Sequence, residues 1–174
     1  MMKKSSLIIL SGLPGTGKSA IGEKLAKHFS IPIFAKDWLE ATLLTGGLDP
    51  KLNNTGSIGY QLLSTLIDRQ LKLNQSVIVD SVATTASIRT TWFRLARKYG
   101  VQVKIIECIC SDKNLHQSRL LNRSRNIPGW HELVWSDVLR AKSYYRPWTK
   151  KRLVLDAVDP FEDNFQKVLK YITD

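Results

Sequence analysis

Short apolar runs alternate with longer amphipathic stretches along most of the chain. The apolar runs have the length of buried strands, and they fall at residues 7–10, 31–35, 77–80, 101–109 and 153–155. Elsewhere apolar residues recur every three or four positions, as in helices that pack on a sheet, at residues 20–27, 58–73, 87–99, 132–145 and 161–172, with another helix starting near residue 113. This alternation predicts an α/β fold, with a parallel five-stranded sheet between two helical layers, formed by residues 1–174 as a single domain.

The turn between the first strand and the first helix carries the most specific motif of the chain. Gly12, four further residues and then Gly17-Lys18-Ser19 match the phosphate-binding pattern G-x-x-x-x-G-K-[ST], with the strand and the helix that this pattern requires. In such a loop the backbone N–H groups converge on phosphate oxygens, Lys18 reaches the β- and γ-phosphates, and the Ser19 hydroxyl ligates Mg²⁺. A glycine-rich turn without a ligand is the alternative. We predict that ATP is bound by Gly12, Leu13, Pro14, Gly15, Thr16, Gly17, Lys18, Ser19 and Ala20.

Two carboxylates follow apolar runs at positions where a parallel sheet places its ligands. Asp37 comes after the second run, and ligands of open α/β sheets lie beyond the carboxyl ends of the strands. A carboxylate there can accept the proton of a hydroxyl that attacks a phosphoryl group, although Asp37 also suits the N-cap of the next helix. Asp80 ends the third run and is predicted to hold Mg²⁺, directly or through water, while capping of the next turn is its alternative.

Three arginines follow the fourth strand, in a segment that we expect to form a lid over about residues 119–135. Arg119 and Arg123 are spaced i, i+4 on the predicted helix, and Arg125 follows. Arginines that enter from a mobile lid stabilise the negative charge of a phosphoryl transition state, and pairing with surface carboxylates is their alternative. In residues 126–130 Pro and Gly break the helix, and the Trp can close over the site.

The positive charge of the chain is concentrated in one region. The chain has 26 Lys or Arg and 15 Asp or Glu, a net charge of +11, and residues 113–152 hold ten Lys or Arg against two acids. This region favours an anionic ligand, which could be nucleotide phosphates, an acidic substrate or nucleic acid, whereas solvated faces without a ligand are the alternative. Arg89, on the helix at residues 87–99, is a further candidate for contact with an anionic acceptor.

The remaining composition is typical of a cytoplasmic protein. Cys108 and Cys110 are interpreted as core thiols in a reducing compartment. His28, His116 and His131 lack metal-ligand spacing and are predicted to lie at the surface or in the lid. No run approaches the roughly 20 apolar residues of a membrane span, and the basic start of the chain precedes an apolar run too short for a signal peptide.

Several segments together resemble one family. They are GLPGTGKS, KDW after the second strand, VIVDS at the third, CSD ahead of RLLNRSRNIPGW, and YYRPW with LVLDAVDP near the end of the chain. The chain resembles small P-loop kinases grouped with AAA-family ATP-binding proteins, which are similar to polynucleotide kinase, gluconate kinase and chloramphenicol phosphotransferase. The resemblance spans nearly the whole chain, and it is specific for the P-loop NTPase fold and for ATP but not for the acceptor.

The resemblance implies a sheet order of 2-3-1-4-5, a helical lid, and adenine bound beside the loop after the last strand. It assigns phosphate and Mg²⁺ binding to Lys18 and Ser19, and the acceptor-side base to Asp37. The lid arginine corresponds to Arg123, assisted by Arg119 or Arg125. The second arginine sensor and the remodelling module of AAA machines are not found, which argues against an ATPase motor.

These expectations describe an ATP- and Mg²⁺-dependent phosphotransferase that moves the γ-phosphate to a hydroxyl of a small-molecule or nucleotide-like acceptor. Two other functions stay open. The basic region favours a 5′-hydroxyl polynucleotide kinase, whose affinity for nucleic acid would fall steeply with salt. The second alternative is a switch that binds ATP without transferring phosphate. A measurement of turnover distinguishes such a switch from a kinase. The identity of the acceptor and the choice between monomer and homodimer stay open as well.

Overall fold

A parallel five-stranded sheet forms the centre of the molecule in its computed structural model, which describes residues 5–174. The strands are β1 (Ser6–Ser11), β2 (Ile33–Ala35), β3 (Val77–Asp80), β4 (Gln102–Ile109) and β5 (Leu153–Asp156). Their order across the sheet is β2-β3-β1-β4-β5, which confirms the predicted order 2-3-1-4-5. The basic start of the chain, residues 1–4, lies outside the described residues.

Helices cover both faces of this sheet. They are α1 (Lys18–Phe29), α2 (Lys36–Thr45), α3 (Thr55–Lys72), α4 (Ala86–Tyr99), α5 (Lys113–Leu121), α6 (Trp135–Tyr144) and α7 (Phe161–Thr173). Within residues 5–174, none of them is long and apolar enough to cross a membrane.

The apolar residues of β1 show why the fold has three layers. Successive side chains of a strand point to opposite faces of the sheet. Leu7 and Ile9 therefore pack in the cluster that includes α3 and α4, whereas Ile8 and Leu10 pack in the cluster that includes α1 and α7. All four side chains are fully buried. The predicted sandwich of helices, sheet and helices is thus confirmed.

The strand register brings the candidate site residues to one edge of the sheet. Asp80, at the end of β3, pairs with Leu10 of β1 on one side and with Ala35 of β2 on the other. Because the strands are parallel, the segments that follow β1, β2 and β3 all leave the sheet at this edge. The motif after β1, Asp37 after β2 and Asp80 therefore lie in one region.

Some helix boundaries differ from the prediction and change the interpretation of the lid. The helix α5 ends before Arg123, so Arg123 does not share a helix face with Arg119. Residues 122–126 contain no apolar side chain that could pack on the core, which explains why the helix ends. The helix α6 begins at Trp135, so the lid predicted over about residues 119–135 is helical only at its two ends.

The two cysteines differ in burial. Both are free thiols. Cys108, within β4, is buried, and burial raises the pKa of its thiol to about 12. Cys110 follows the end of β4 and is only partly buried. The predicted core position is correct for Cys108 and wrong for Cys110, because the strand leaves the core at Ile109.

Candidate active site

The loop after β1, residues 12–19, has a backbone shape that requires glycine at its first position. Gly12 has a φ of 134°, and a Cβ atom there would lie 2.0 Å from the carbonyl oxygen of Cys108. Both features exclude a side chain. Gly17 is the N-cap of α1, so the loop ends at a helix N-terminus with its partial positive charge. This loop, which we call the phosphate loop, can therefore hold an anion such as a phosphate group.

Lys18 lies inside the phosphate loop and not at its surface. Its ammonium donates a hydrogen bond of 3.0 Å to the carbonyl oxygen of Leu13, which also accepts from the Thr16 hydroxyl at 2.8 Å. Burial lowers the pKa of Lys18, and the negative charge of Asp80 opposes this shift. The loop thus contains a buried cation next to the backbone that is predicted to bind phosphates.

Ser19 and Asp80, the predicted Mg²⁺ ligands, are in direct contact. The Ser19 hydroxyl donates a hydrogen bond of 2.6 Å to Oδ2 of Asp80. Asp80 is not the N-cap of α4, which is Thr85. Within residues 5–174, no group of three or more His, Cys, Asp or Glu could hold a metal ion. These two oxygens suit Mg²⁺, which binds one or two protein oxygens and completes its shell with phosphate and water.

Asp37 lies in the same cavity as Ser19 and Asp80. This main cavity has a volume of about 680 Å³. Asp37 is in the first turn of α2, whose N-cap is Ala35, so the alternative of helix capping is wrong. Its carboxylate accepts a hydrogen bond from the guanidinium of Arg125, which lines the same cavity. The predicted base and one predicted lid arginine therefore form an ion pair inside the site.

Arg123 lies between the main cavity and a neighbouring one. It lines the main cavity and also a side cavity of about 360 Å³ next to the phosphate loop. Its Nε and Nη2 atoms are buried and have no hydrogen-bond partner among residues 5–174. Burial, followed by the nearby charge of Arg125, lowers the pKa of Arg123. Arg119 is exposed and lines the side cavity but not the main one.

The side cavity is lined in part by the loop after β5, which the family resemblance places beside adenine. Ala157 and Asp159 from this loop line the cavity together with residues 15–21. Asp156 does not line it. Its Oδ1 atom accepts hydrogen bonds from the backbone N–H groups of Ser111, at 3.1 Å, and Val158, at 3.2 Å. Asp156 therefore caps the turn after β5.

Trp130 supplies an aromatic wall to the main cavity. Its Nε1 atom is buried and has no hydrogen-bond partner among the residues that the structure describes. The ring stacks on His131 with centroids 5.0 Å apart, and the Lys36 ammonium lies 5.9 Å from the ring centroid. The prediction that Trp130 closes over the site agrees with this position.

Arg89 does not contact the main cavity, so its predicted role toward an acceptor is wrong. Its guanidinium donates to the carbonyl oxygens of Ala83 at 2.7 Å, Arg146 at 2.6 Å and Pro147 at 3.1 Å. It also lies over the ring of Trp148, 3.8 Å from the centroid. Arg89 therefore joins α4 to the segment before β5, and each of its three guanidinium nitrogen atoms already donates to a carbonyl oxygen.

His116 was predicted to lie at the surface or in the lid, and this prediction is wrong. The side chain is 5% exposed, and its Nε2 atom lies 2.6 Å from the carbonyl oxygen of Pro14 in the phosphate loop. The available signal was its spacing from Leu120, since residues i and i+4 share a helix face and both are buried. His28 and His131 are exposed, as predicted.

The fold and the phosphate loop together define a P-loop NTPase-like protein. The chain belongs to the AAA domain family, which matches residues 7–147. This result and the solved structures below confirm the resemblance to the P-loop kinase group. A comparison with curated proteins finds no match to the chain.

Solved kinase structures share the fold over nearly the full chain. A candidate kinase from Chloroflexus aurantiacus j-10-fl has 20% identity and a TM-score of 0.76, covering 97% of this chain and 99% of that one. A gluconokinase from Sinorhizobium meliloti 1021 has 16% identity and a TM-score of 0.71, with 98% and 92% covered. The Mycobacterium tuberculosis APS kinase CysC, in complex with AMPPNP and APS, has 16% identity and a TM-score of 0.69, with 98% and 99% covered. At these identities the similarity shows the fold alone.

Proposed function

We propose that the protein is an ATP- and Mg²⁺-dependent phosphotransferase that acts on a hydroxyl group of a small polar acceptor. The observation that carries the proposal is that one cavity is lined by Lys18, Ser19, Asp37 and Asp80. A cation, a pair of oxygen atoms for Mg²⁺ and a further carboxylate that can accept a proton are the groups that phosphoryl transfer to a hydroxyl requires. The gluconokinase and the APS kinase of similar fold support a small acceptor by their names.

The proposed binding of ATP uses the phosphate loop. Backbone N–H groups of the loop and the ammonium of Lys18 hold the β- and γ-phosphates, after Lys18 has released the carbonyl oxygen of Leu13. Ser19 and Asp80 would hold Mg²⁺, which neutralises charge on the β- and γ-phosphates. The side cavity, which adjoins the loop, takes the nucleoside.

The proposed transfer uses the carboxylate of Asp37. The acceptor oxygen forms a bond to the γ-phosphorus, its proton passes to Asp37, and the bond from the γ-phosphorus to the bridging oxygen breaks to release ADP. Arg125 orients Asp37 through their ion pair. Arg123, which lines both cavities, stabilises the charge on the transferring group. Trp130 and the rest of the lid exclude water, which would otherwise hydrolyse the γ-phosphate.

A transfer assay tests this function directly. The protein is incubated with γ-labelled ATP, Mg²⁺ and a mixed library of sugars, nucleosides, antibiotics and 5′-hydroxyl oligonucleotides, with Lys18→Ala as the blank. Label that moves to a small acceptor in a Lys18-dependent way supports the proposal. Transfer to oligonucleotides alone would instead favour a polynucleotide kinase, and tight ATP binding without transfer would favour a switch.

The variant Asp37→Asn tests the base. It keeps the shape of the side chain but cannot take up the proton, so transfer is expected to fall about 10³-fold while ATP binding stays largely intact. Asp68→Asn is the matched control, because Asp68 also accepts hydrogen bonds from partners, Lys98 and Tyr99, but lies outside the main cavity. Near-normal transfer by Asp37→Asn would contradict the assignment.

A further inference from the structure

His116 contacts the phosphate loop from the side of α5. Its Nε2 atom lies 2.6 Å from the carbonyl oxygen of Pro14. A carbonyl oxygen only accepts hydrogen bonds, so Nε2 carries the proton and donates it. The imidazole also lies close to the next residue, Gly15. A Cβ atom added to Gly15 would lie 3.1 Å from both Cδ2 and Nε2 of His116. The imidazole therefore donates to Pro14 and leaves little room for a side chain at position 15.

The same imidazole also contacts the far end of the lid. Its ring meets the ring of Trp135 edge to face, with centroids 5.1 Å apart and planes at 87°. Trp135 is the first residue of α6, directly after the lid segment, residues 122–134, which contains neither helix nor strand. His116 thus fills the space between the phosphate loop and the helix in which the lid ends.

The hydrogen bond to Pro14 has a consequence for the neighbouring N–H group. In a planar trans peptide the C=O and the following N–H point in opposite directions. A Pro14 carbonyl held toward α5 turns the Gly15 N–H away from α5. Gly15 lines the side cavity, which His116 does not line. The bond therefore fixes the orientation of a peptide group whose second residue, Gly15, lines the cavity that the proposed function gives to ATP.

We propose that His116 is a positioning residue, which holds the Pro14–Gly15 peptide so that the phosphate loop keeps its anion-binding shape. This inference rests on the proposed binding of ATP by the loop. Without the imidazole N–H, the buried Pro14 carbonyl would lack this donor, and the peptide could rotate between two orientations. ATP would then bind only to part of the population, so its apparent affinity would fall.

Binding of the fluorescent analogue mant-ATP tests this role without any acceptor. Glutamine can place an N–H donor near the position of Nε2, whereas leucine has none. We expect His116→Leu to raise the Kd for mant-ATP about tenfold and His116→Gln to keep it within about threefold of the wild type. The control is His28→Leu, the same change at an exposed histidine of α1, and it should leave the Kd unchanged.

Thermal melting of the same variants separates positioning from packing. An equal Kd for the wild type and His116→Leu would overturn the inference. So would a loss of binding in both His116→Leu and His116→Gln that parallels a fall in Tm, because that pattern means general packing of the core. Absence of mant-ATP binding by the wild type itself would overturn the proposed function, and this inference with it.

Discussion

The phosphate loop and the lid segment differ in how their polar groups are satisfied. In the loop, Lys18 donates to Leu13, Ser19 donates to Asp80, and the Pro14 carbonyl accepts from His116. In the lid, buried nitrogen atoms of Arg123 and Trp130 have no hydrogen-bond partner within residues 5–174. Buried donors without acceptors are costly in a folded protein. The side chains of Lys18 and Ser19 and the Pro14 carbonyl are therefore paired within residues 5–174, whereas the lid carries buried side-chain donors suited to a ligand.

The local sequence explains this difference. The phosphate loop lies between a fully buried strand and a helix, and both hold its backbone in place. The lid segment has neither, and it is attached to the rest of the molecule by the buried side chain of Ile127 and by the ion pair of Arg125 with Asp37. Segments with few buried contacts open at low free-energy cost. The phosphate loop thus suits a ligand group of constant shape, such as a phosphate. The lid suits closure over a ligand whose shape can differ.

Among the variants that test the difference between the phosphate loop and the lid, Arg123→Gln has the largest expected effect. If the buried nitrogen atoms of Arg123 await the transferring phosphoryl group, their removal should lower kcat about 10³-fold. Stability should not fall, because the Nε and Nη2 atoms that are removed are buried and have no hydrogen-bond partner within the described part of the chain. Steady-state transfer assays and thermal melting measure the two effects.

A control for this variant is available on α4. Arg94→Gln makes the same change at an exposed arginine outside both cavities and should alter neither kcat nor Tm. If Arg123→Gln lowered Tm and left kcat unchanged, Arg123 would be part of the fold, and the contrast between loop and lid would fail.

The variant Trp130→Phe has an intermediate expected effect. It keeps an aromatic ring in the main cavity and removes only the unpartnered N–H. We expect the KM for the acceptor found in the transfer assay to rise about tenfold, with the KM for ATP unchanged. Trp38→Phe is the control, since Trp38 is exposed on α2 and does not line the main cavity. A rise in the KM for ATP instead would indicate that Trp130 contacts the nucleotide and not the acceptor.

The parts that sequence reasoning could predict are those with a local cause. The phosphate loop depends on glycines and a lysine at fixed spacing, and the sheet order follows from the family resemblance. The role of Arg89 could not be predicted, because its carbonyl partners at 146 and 147 are distant in the chain. The burial of His116 against Pro14 is likewise a tertiary contact. The end of α5 before Arg123 was predictable, since residues 122–126 contain no apolar side chain.

The pH dependence of ATP binding has the smallest expected effect and tests the loop itself. Burial lowers the pKa of Lys18 from the usual lysine value of 10.5. The ammonium is the form that holds phosphates, so binding is strongest where Lys18 is protonated and weakens as the pH rises through the lowered pKa. Bound phosphates favour the ammonium and oppose its loss. The Kd for mant-ATP should therefore rise only about threefold between neutral pH and the usual lysine value.

The variant Lys18→Arg shows whether the change in Kd with pH comes from Lys18. Arginine keeps its charge over the whole range, so any change in Kd with pH that comes from Lys18 should vanish in the variant, even if its affinity is lower throughout. Because Leu13 accepts from Lys18 inside the loop, the titration also reports on the interior of a loop that is already formed. If wild type and variant showed the same pH profile, Lys18 would be titrating as an exposed lysine does. The phosphate loop would then be as accessible to solvent as the lid. The contrast drawn between the polar contacts of the two regions would not hold in solution.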